Sequence, residues 1–279
     1  MHLDLDGAWP AEALPIPTLD LRRWGPKLRY ITRKADVRGF SRELPSEPFR
    51  FFLYGSGDFH HLSAALVLRA AGMANGPLRV VCFDNHPDWD IRPPRWACGA
   101  WVNRALECAA VERVSVWGCG NFEMNRPHRW FRNRAALSLG RLEIFPWTER
   151  QSPAAARFFP GVSRSDWQNR FEQFAQEQSG ATLYVTVDLD CLRDDQAATD
   201  WEAGLFGAEE VAWAITRLRQ HTKLVFGDIC GASSPPAYAR PFQRFAGWWD
   251  HPAGKTADLD RARAINVRSA RTIWPALTD

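Results

Sequence analysis

The chain predicts an α/β fold: a three-layer sandwich with a mainly parallel sheet covered by helices on both faces. Three observations predict it. Short β-branched or aromatic runs recur along the sequence, helical patterns lie between them, and acidic or histidine residues gather where several runs stop. The runs are Phe49–Tyr54, Leu78–Phe83, Arg113–Trp117, Leu142–Phe145, Leu183–Val187 and Lys223–Phe226. Each is short and nearly continuous in its apolar character, as expected of strands buried on both faces. His61–Met73 is rich in Leu and Ala, and Ala100–Ala110 has apolar residues at helical spacing. Ser165–Gln178 opens on the capping candidates Ser165 and Asp166 and sets Trp167, Phe171 and Phe174 on one side. Gly207–His221 carries Val211, Ile215 and Leu218. Pro and Gly mark loops near Arg92–Pro94, Pro153–Gly161 and Ser233–Pro241, and Asp194–Phe206 also reads as a loop.

A length of 279 residues suits one α/β domain spanning 1–279. The net charge of +3, spread without basic blocks, argues against a nucleic-acid partner. No apolar run approaches the length of a membrane span, and Met1–Asp6 does not read as a signal peptide. The six cysteines form no C-x-x-C pair, so reduced thiols and a cytoplasmic location are expected. The 14 tryptophans are expected to pack the core and interfaces.

The chemistry concentrates at two strand ends. Val80–Phe83 runs into Asp84-Asn85-His86-Pro87-Asp88, a D-x-H-x-D pattern. If the extended backbone continued, alternation would project Asp84, His86 and Asp88 together. About a hundred residues later, Leu183–Val187 runs into Asp188-Leu189-Asp190, whose carboxylates would face the same way. In a parallel sheet both ends lie along one edge, where α/β proteins hold ligands. Carboxylates mixed with imidazole suit a divalent metal, and the carboxylate excess favours manganese. A third run ends in Gly55-Ser56-Gly57-Asp58-Phe59-His60-His61, and a fourth is read as Val225-Phe226-Gly227-Asp228.

In order and spacing these motifs resemble the arginase (ureohydrolase) superfamily of binuclear manganese enzymes. That pattern has Gly-Gly-Asp-His, then D-A-H-x-D, then S-x-D-x-D, then a late Glu. Here the counterparts are Gly57–His61, Asp84–Asp88, Thr186–Asp190 and Asp228, covering most of the chain. The resemblance implies an arginase-like sandwich and two Mn2+ ions bridged by Asp84 and Asp188. Asp88 and His60 would complete one site, with His61 as the alternative ligand; His86 and Asp190 would complete the other. It further implies a small-molecule substrate, a homo-oligomer, and hydrolysis of a C–N bond in a linear amidino, guanidino or formimino compound.

The chain departs from the pattern in several places. Asp228 stands where the family has a guanidinium-binding Glu and is expected to take that catalytic, substrate-binding role. Cys98-Gly99 stands where many members have a proton-shuttling His before Gly. No amino-acid-binding Ser/Asn loop is visible; Arg92 or Arg95 could pair with a substrate carboxylate instead. Two other readings stay open: a metal-dependent deacetylase of the same fold, which needs one metal and one later Asp, and a non-catalytic metal-binding relative.

Overall fold

The computed structural model describes residues 1–92, 96–251 and 258–279. Its strands are β1 (His2–Asp4), β2 (Thr18–Asp20), β3 (Ile31–Thr32), β4 (Phe51–Tyr54), β5 (Leu78–Phe83), β6 (Trp96–Ala97), β7 (Val111–Trp117), β8 (Leu142–Phe145), β9 (Thr182–Asp188) and β10 (Lys223–Cys230). Eight of them form one sheet in the order β2-β1-β4-β10-β9-β5-β7-β8, and β3 pairs with β6 in a small antiparallel ribbon. Every pairing in the large sheet is parallel.

The helices are α1 (Gly25–Leu28), α2 (Lys34–Glu43), α3 (His61–Met73), α4 (Trp101–Leu106), α5 (Arg134–Ser138), α6 (Pro153–Ala156), α7 (Trp167–Glu177), α8 (Ala208–His221), α9 (Pro241–Asp250) and α10 (Leu259–Thr278). They cover the sheet on both sides, giving three layers. On one face Leu78, Val80 and Cys82 of β5 pack with Leu62 and Leu66 of α3 and Trp101 of α4. On the other, Val81 and Phe83 pack with Phe171 of α7, Val211 of α8 and Ile273 of α10. Alternate residues of one strand thus feed two cores, which is why β5 reads as continuously apolar.

The strand and helix runs read from sequence fall in these elements, with differences at their ends. β10 runs on past Phe226 to Cys230 and puts Asp228 inside the strand, and α4 stops at Leu106, short of the expected Ala110. Pro153–Gly161 is not wholly loop, because Pro153 opens the four-residue α6. Pro93, Pro94 and Arg95 lie outside the described residues.

The order of strands positions the site. The chain passes from β4 through α3 to β5, leaves outward through β7 and β8, and returns to lay β9 and β10 between β5 and β4. The reversal opens a crevice at the carboxyl edge beside β5 and β9.

One buried cation ties the rim of that edge together. Arg29 is 1% exposed. Its Nε donates to Asp58 Oδ2 at 2.7 Å, its Nη2 to Asp200 Oδ2 at 3.1 Å and its Nη1 to Ser234 Oγ at 3.0 Å. Asp6 lies 3.7 Å from the same guanidinium. Four segments distant in sequence are held at one point. Arg29→Met should destabilise the fold by about 3–5 kcal/mol, since it leaves buried carboxylates without their counter-charge. Urea unfolding of the variant and wild type measures the difference; a shift below about 1 kcal/mol would remove Arg29 from this role.

Candidate metal centre

The residues after each strand do not continue extended. β5 stops at Phe83, the backbone bends at Asn85 and His86, and Asp88 takes a left-handed φ of 46°. Asp84, His86 and Asp88 therefore converge through a bend rather than by strand alternation. A non-glycine residue with positive φ is unusual, and Asp is among the residues that tolerate it best. The second pair behaves likewise. β9 ends at Asp188, a 3₁₀ turn follows over Leu189–Cys191, and Asp190 N donates to Asp188 Oδ1 at 3.1 Å. Asp188 caps the turn that presents Asp190.

His60 enters from the turn ahead of α3. Its Nδ1 lies 3.2 Å from Asp84 Oδ2, 3.2 Å from Asp88 Oδ2 and 3.4 Å from Asp188 Oδ2. His86 Nδ1 lies 2.8 Å from Asp190 Oδ2 and 3.6 Å from Asp84 Oδ1. All six residues expected to hold metal are thus brought together and buried. His61 is not among them. Its ring is fully buried, neither nitrogen reaches a hydrogen-bond partner, and burial holds its pKa down at about 3.

Asp228 is a correction. It is fully buried, two residues short of the strand end, on the same sheet face as α3. It accepts from Tyr184 Oη, from Thr186 Oγ1 at 2.6 Å and from Ser63 Oγ at 3.0 Å. Those bonds occupy it beneath the crevice, and it does not line the cavity. Thr186 Oγ1 in turn lies 3.2 Å from His60 Nε2. Asp228 is therefore linked to His60 through Thr186 and is set back from the cavity wall. A ring nitrogen fixed in this way is the usual support of a metal-binding histidine.

Above the cluster opens a cavity of about 940 Å³. Tyr30, Trp201 and Phe242 contribute aromatic wall, and Asp90, Glu123 and Asp250 contribute carboxylates. Trp201 sets its ring edge-on to His86, with centroids 5.5 Å apart, and stacks on His251 at 4.5 Å. His251 Nε2 lies 2.8 Å from Asp58 Oδ1, and although burial pulls its pKa down, Asp58 raises it to about 9. Asp250 accepts from Tyr30 Oη at 2.6 Å. Among the described residues Glu123 Oε2 is enclosed without a partner, and burial pushes that carboxyl's pKa well up. Glu123, Trp201 and His251 lie in irregular segments or at helix ends, with no strand-end signal to mark them.

Arg92 lines the cavity, paired with Asp90 and lying 4.0 Å over the Phe131 ring. Arg95 lies outside the described residues. Cys98 and Gly99 line the cavity, but burial raises the Cys98 thiol well above its ordinary pKa, so it stays protonated at neutral pH. It cannot relay protons as an imidazole does.

The donor set fits divalent metal. Four buried carboxylates meet two imidazoles, and groups such as Asp84, His86 and Asp190 hold their ligand atoms within 4.8 Å of one another. Two glycines leave room around Asp188: a Cβ on Gly231, whose φ is +103°, would sit 2.2 Å from Asp188 Oδ1, and one on Gly57 would sit 2.9 Å from Oδ2. The charge is unbalanced without cations. Burial, then the neighbouring carboxylates, raise Asp188 to about 8 and Asp88 to about 7. Burial raises Asp190 to about 6 despite His86. Asp84 is held below its ordinary value, because bonds to His60 and His86 outweigh its burial. Burial lowers both imidazoles, but the carboxylates around them outweigh it and carry them well above the ordinary range.

Comparison with solved structures identifies the architecture. A hypothetical agmatinase from Burkholderia thailandensis superposes with a TM-score of 0.51 at 18% identity, covering 86% of this chain and 64% of that one. Proclavaminate amidino hydrolase from Streptomyces clavuligerus gives 0.53 at 16% identity, covering 88% and 70%. Arginase from Medicago truncatula gives 0.51 at 14% identity, covering 94% and 67%. The fold is that of the arginases. This arginase-like chain spans roughly two thirds of the length of these relatives. No family model and no curated protein matches its sequence.

Two predictions follow from the charge and from Asp228. Groups whose pKa is raised on folding contribute stability below their unfolded pKa and lose it as pH rises through the folded value. Asp88, Asp188, Asp190 and both imidazoles share that sign; Asp84 has the opposite one, but its loss comes only in acid. The melting temperature of chelator-treated protein should therefore fall between pH 6 and pH 9, and excess divalent ion should flatten the slope. A metal-independent profile would argue against the cluster as a cation site. Separately, Asp228→Ala should weaken one metal ion by about 10–100-fold and spare the other, as loss of an outer partner does. Calorimetric titration resolves the two; equal affinities in variant and wild type would break the link to His60.

Proposed function

We propose that the chain is a metal-dependent hydrolase of a C–N bond in a linear amidino, guanidino or formimino compound. The observation that carries this reading is the convergence of Asp84, Asp88, Asp188, Asp190, His60 and His86 on the floor of one cavity. Asp84 approaches both imidazoles and, with Asp188, occupies the middle of the cluster. Asp84 and Asp188 would be shared between two ions. His60 and Asp88 would complete one half, His86 and Asp190 the other. The oxygen-rich set suits Mn2+. Two such ions, when bound, supply hydroxide from water near neutral pH and stabilise negative charge developing on the substrate.

The chain's own residues supply the rest. The substrate cation would meet Glu123, whose enclosed Oε2 has no partner among the described residues, in place of the Asp228 contact that the fold does not provide. A carboxylate left unpaired in a low-dielectric wall gains a charge-assisted bond from an amidinium. Tyr30 and Trp201, stacked on each other with ring centroids 6.2 Å apart, add aromatic wall to the same cavity. Cys98 leaves the proton transfer to solvent or to the His86–Glu202 pair, whose Nε2 and Oε2 are 3.2 Å apart.

Metal-loaded protein should release urea, ammonia or formamide from a panel of guanidino, amidino and formimino compounds. Glu123→Gln should raise KM about ten-fold or more for the preferred cationic substrate, the cost of one charged hydrogen bond, while leaving two ions bound. Asp84→Asn and Asp188→Asn should each lose both ions and all turnover. Two bound ions with no product from any compound would favour the non-catalytic reading, and a single ion with release of acetate from acetylated amines would favour the deacetylase.

A further inference from the structure

Two sulfur atoms lie against the carboxylates of this cluster, and nothing in the metal reading so far uses them. Strand register explains their place. Cys82 on β5 is two residues before Asp84 and pairs with Thr186 of β9. Cys230 on β10 pairs directly with Asp188 of β9. Both side chains belong to the α3 side of the sheet, the side from which His60 enters. Cys230 Sγ lies 3.5 Å from Asp188 Oδ2, and Cys82 Sγ lies 3.8 Å from Asp84 Oδ2. Both thiols are fully buried.

His60 joins the two. One group of ligand atoms within 4.8 Å of each other is His60, Cys82 and Asp84; another is His60, Asp188 and Cys230. The imidazole thus stands between two Cys–Asp pairs. The spacing matters. Ligands about 2.3 Å (sulfur) and about 2.1 Å (oxygen) from one ion at a tetrahedral angle stand roughly 3.6 Å apart. Nitrogen and oxygen on the same ion stand roughly 3.4 Å apart. The observed sulfur–oxygen and nitrogen–oxygen separations fall at these values. A core position needing only bulk would be served by Val or Ala, which cannot ligate.

We propose that Cys230 is a metal ligand, and that the His60 half of the centre is a mixed sulfur, nitrogen and oxygen site built on His60, Asp188 and Cys230. Cys82, grouped with Asp84 across β9 from Cys230, does not share that ion. The half then prefers a thiophilic ion such as Zn2+ or Co2+, while the His86 half, with oxygen and nitrogen donors alone, remains the manganese-type half. The Cys230 thiol gives up one proton to solvent as its sulfur binds the ion, so no oxidant or reductant is involved. The inference rests on the metal-centre part of the proposed function and is independent of the substrate.

The test uses the full chain loaded with Co2+ and read by absorption spectroscopy, with bound metal counted by elemental analysis. Wild type should show a sulfur-to-cobalt charge-transfer band in the near ultraviolet. Cys230→Ser should lose it while still binding cobalt, and Cys82→Ser should keep it. In a Zn2+/Mn2+ competition Cys230→Ser should also shift toward Mn2+ by at least about ten-fold, since even outer partners change metal affinity that much. Cobalt bound to wild type with no sulfur band overturns the proposal and leaves the hydrolase reading standing. So does a band unchanged in Cys230→Ser. No cobalt or zinc bound at all overturns both. The wild-type spectrum decides the matter even if a serine variant fails to fold.

Discussion

The structure depends on confining four carboxylates at the end of a dry parallel sheet. An isolated ionised carboxylate in such a place is very costly, and the chain offers only two imidazoles against the four. Cations must therefore belong to the folded state or protons must replace them. Everything around the cluster serves that confinement. The bend at Asn85 and His86 turns one set inward, the turn after Asp188 turns the other, and glycines at 57 and 231 clear room for the central carboxylate. A second, compensated arrangement sits at the rim, where Arg29 answers Asp6, Asp58 and Asp200.

The two polar layers on the α3 face have different work. The row at the strand ends holds Asp188 beside Cys230, with Asp84 following β5. One step down, Cys82, Thr186 and Asp228 lie side by side. The lower row is braced by Tyr184 and Ser63, and Ser63 by Tyr54 Oη at 2.6 Å. Such a fully bonded layer holds His60 in one orientation, and rigidity beneath a site is what lets its ligands keep their geometry. Asp228 belongs to that layer, one step back from the cavity.

The central strands were legible because burial on both faces makes each a short continuous apolar run. The convergence of the six candidate residues was legible because chemistry interrupts those runs at their ends. What escaped did so for physical reasons. Gly227 makes β10 look finished at Phe226, and with the strand shortened Asp228 seemed to stand at its end. β1 and β2 have three residues each, too few for a pattern. α10 buries Asn266, Ser269 and Ala270 beside Ile273 and Leu277, so its inward stripe is only partly apolar. α9 carries Phe242, Phe245, Trp248 and Trp249 on its exposed side, which inverts the usual sign of amphipathic patterning. Of the two adjacent histidines, spacing alone did not separate His60 from His61; the turn ahead of α3 does, by aiming one ring at the carboxylates and the other into the core.

The strand order has a consequence for how the molecule comes into being. β2, β1 and β4 make one parallel block and β5, β7 and β8 another, and within the large sheet their strands are joined only by β9 and β10 laid between; before that the β3–β6 ribbon links the two halves of the chain. During synthesis the two blocks emerge first and the strands that weld them emerge later. Closing that long gap is entropically expensive and sets a slow, non-local step. Asp188 and Asp190 arrive with the weld. A nascent chain therefore exposes His60, Asp84, His86 and Asp88 well before Asp188 and Asp190 arrive, and the buried cluster is completed only as the two half-sheets fuse.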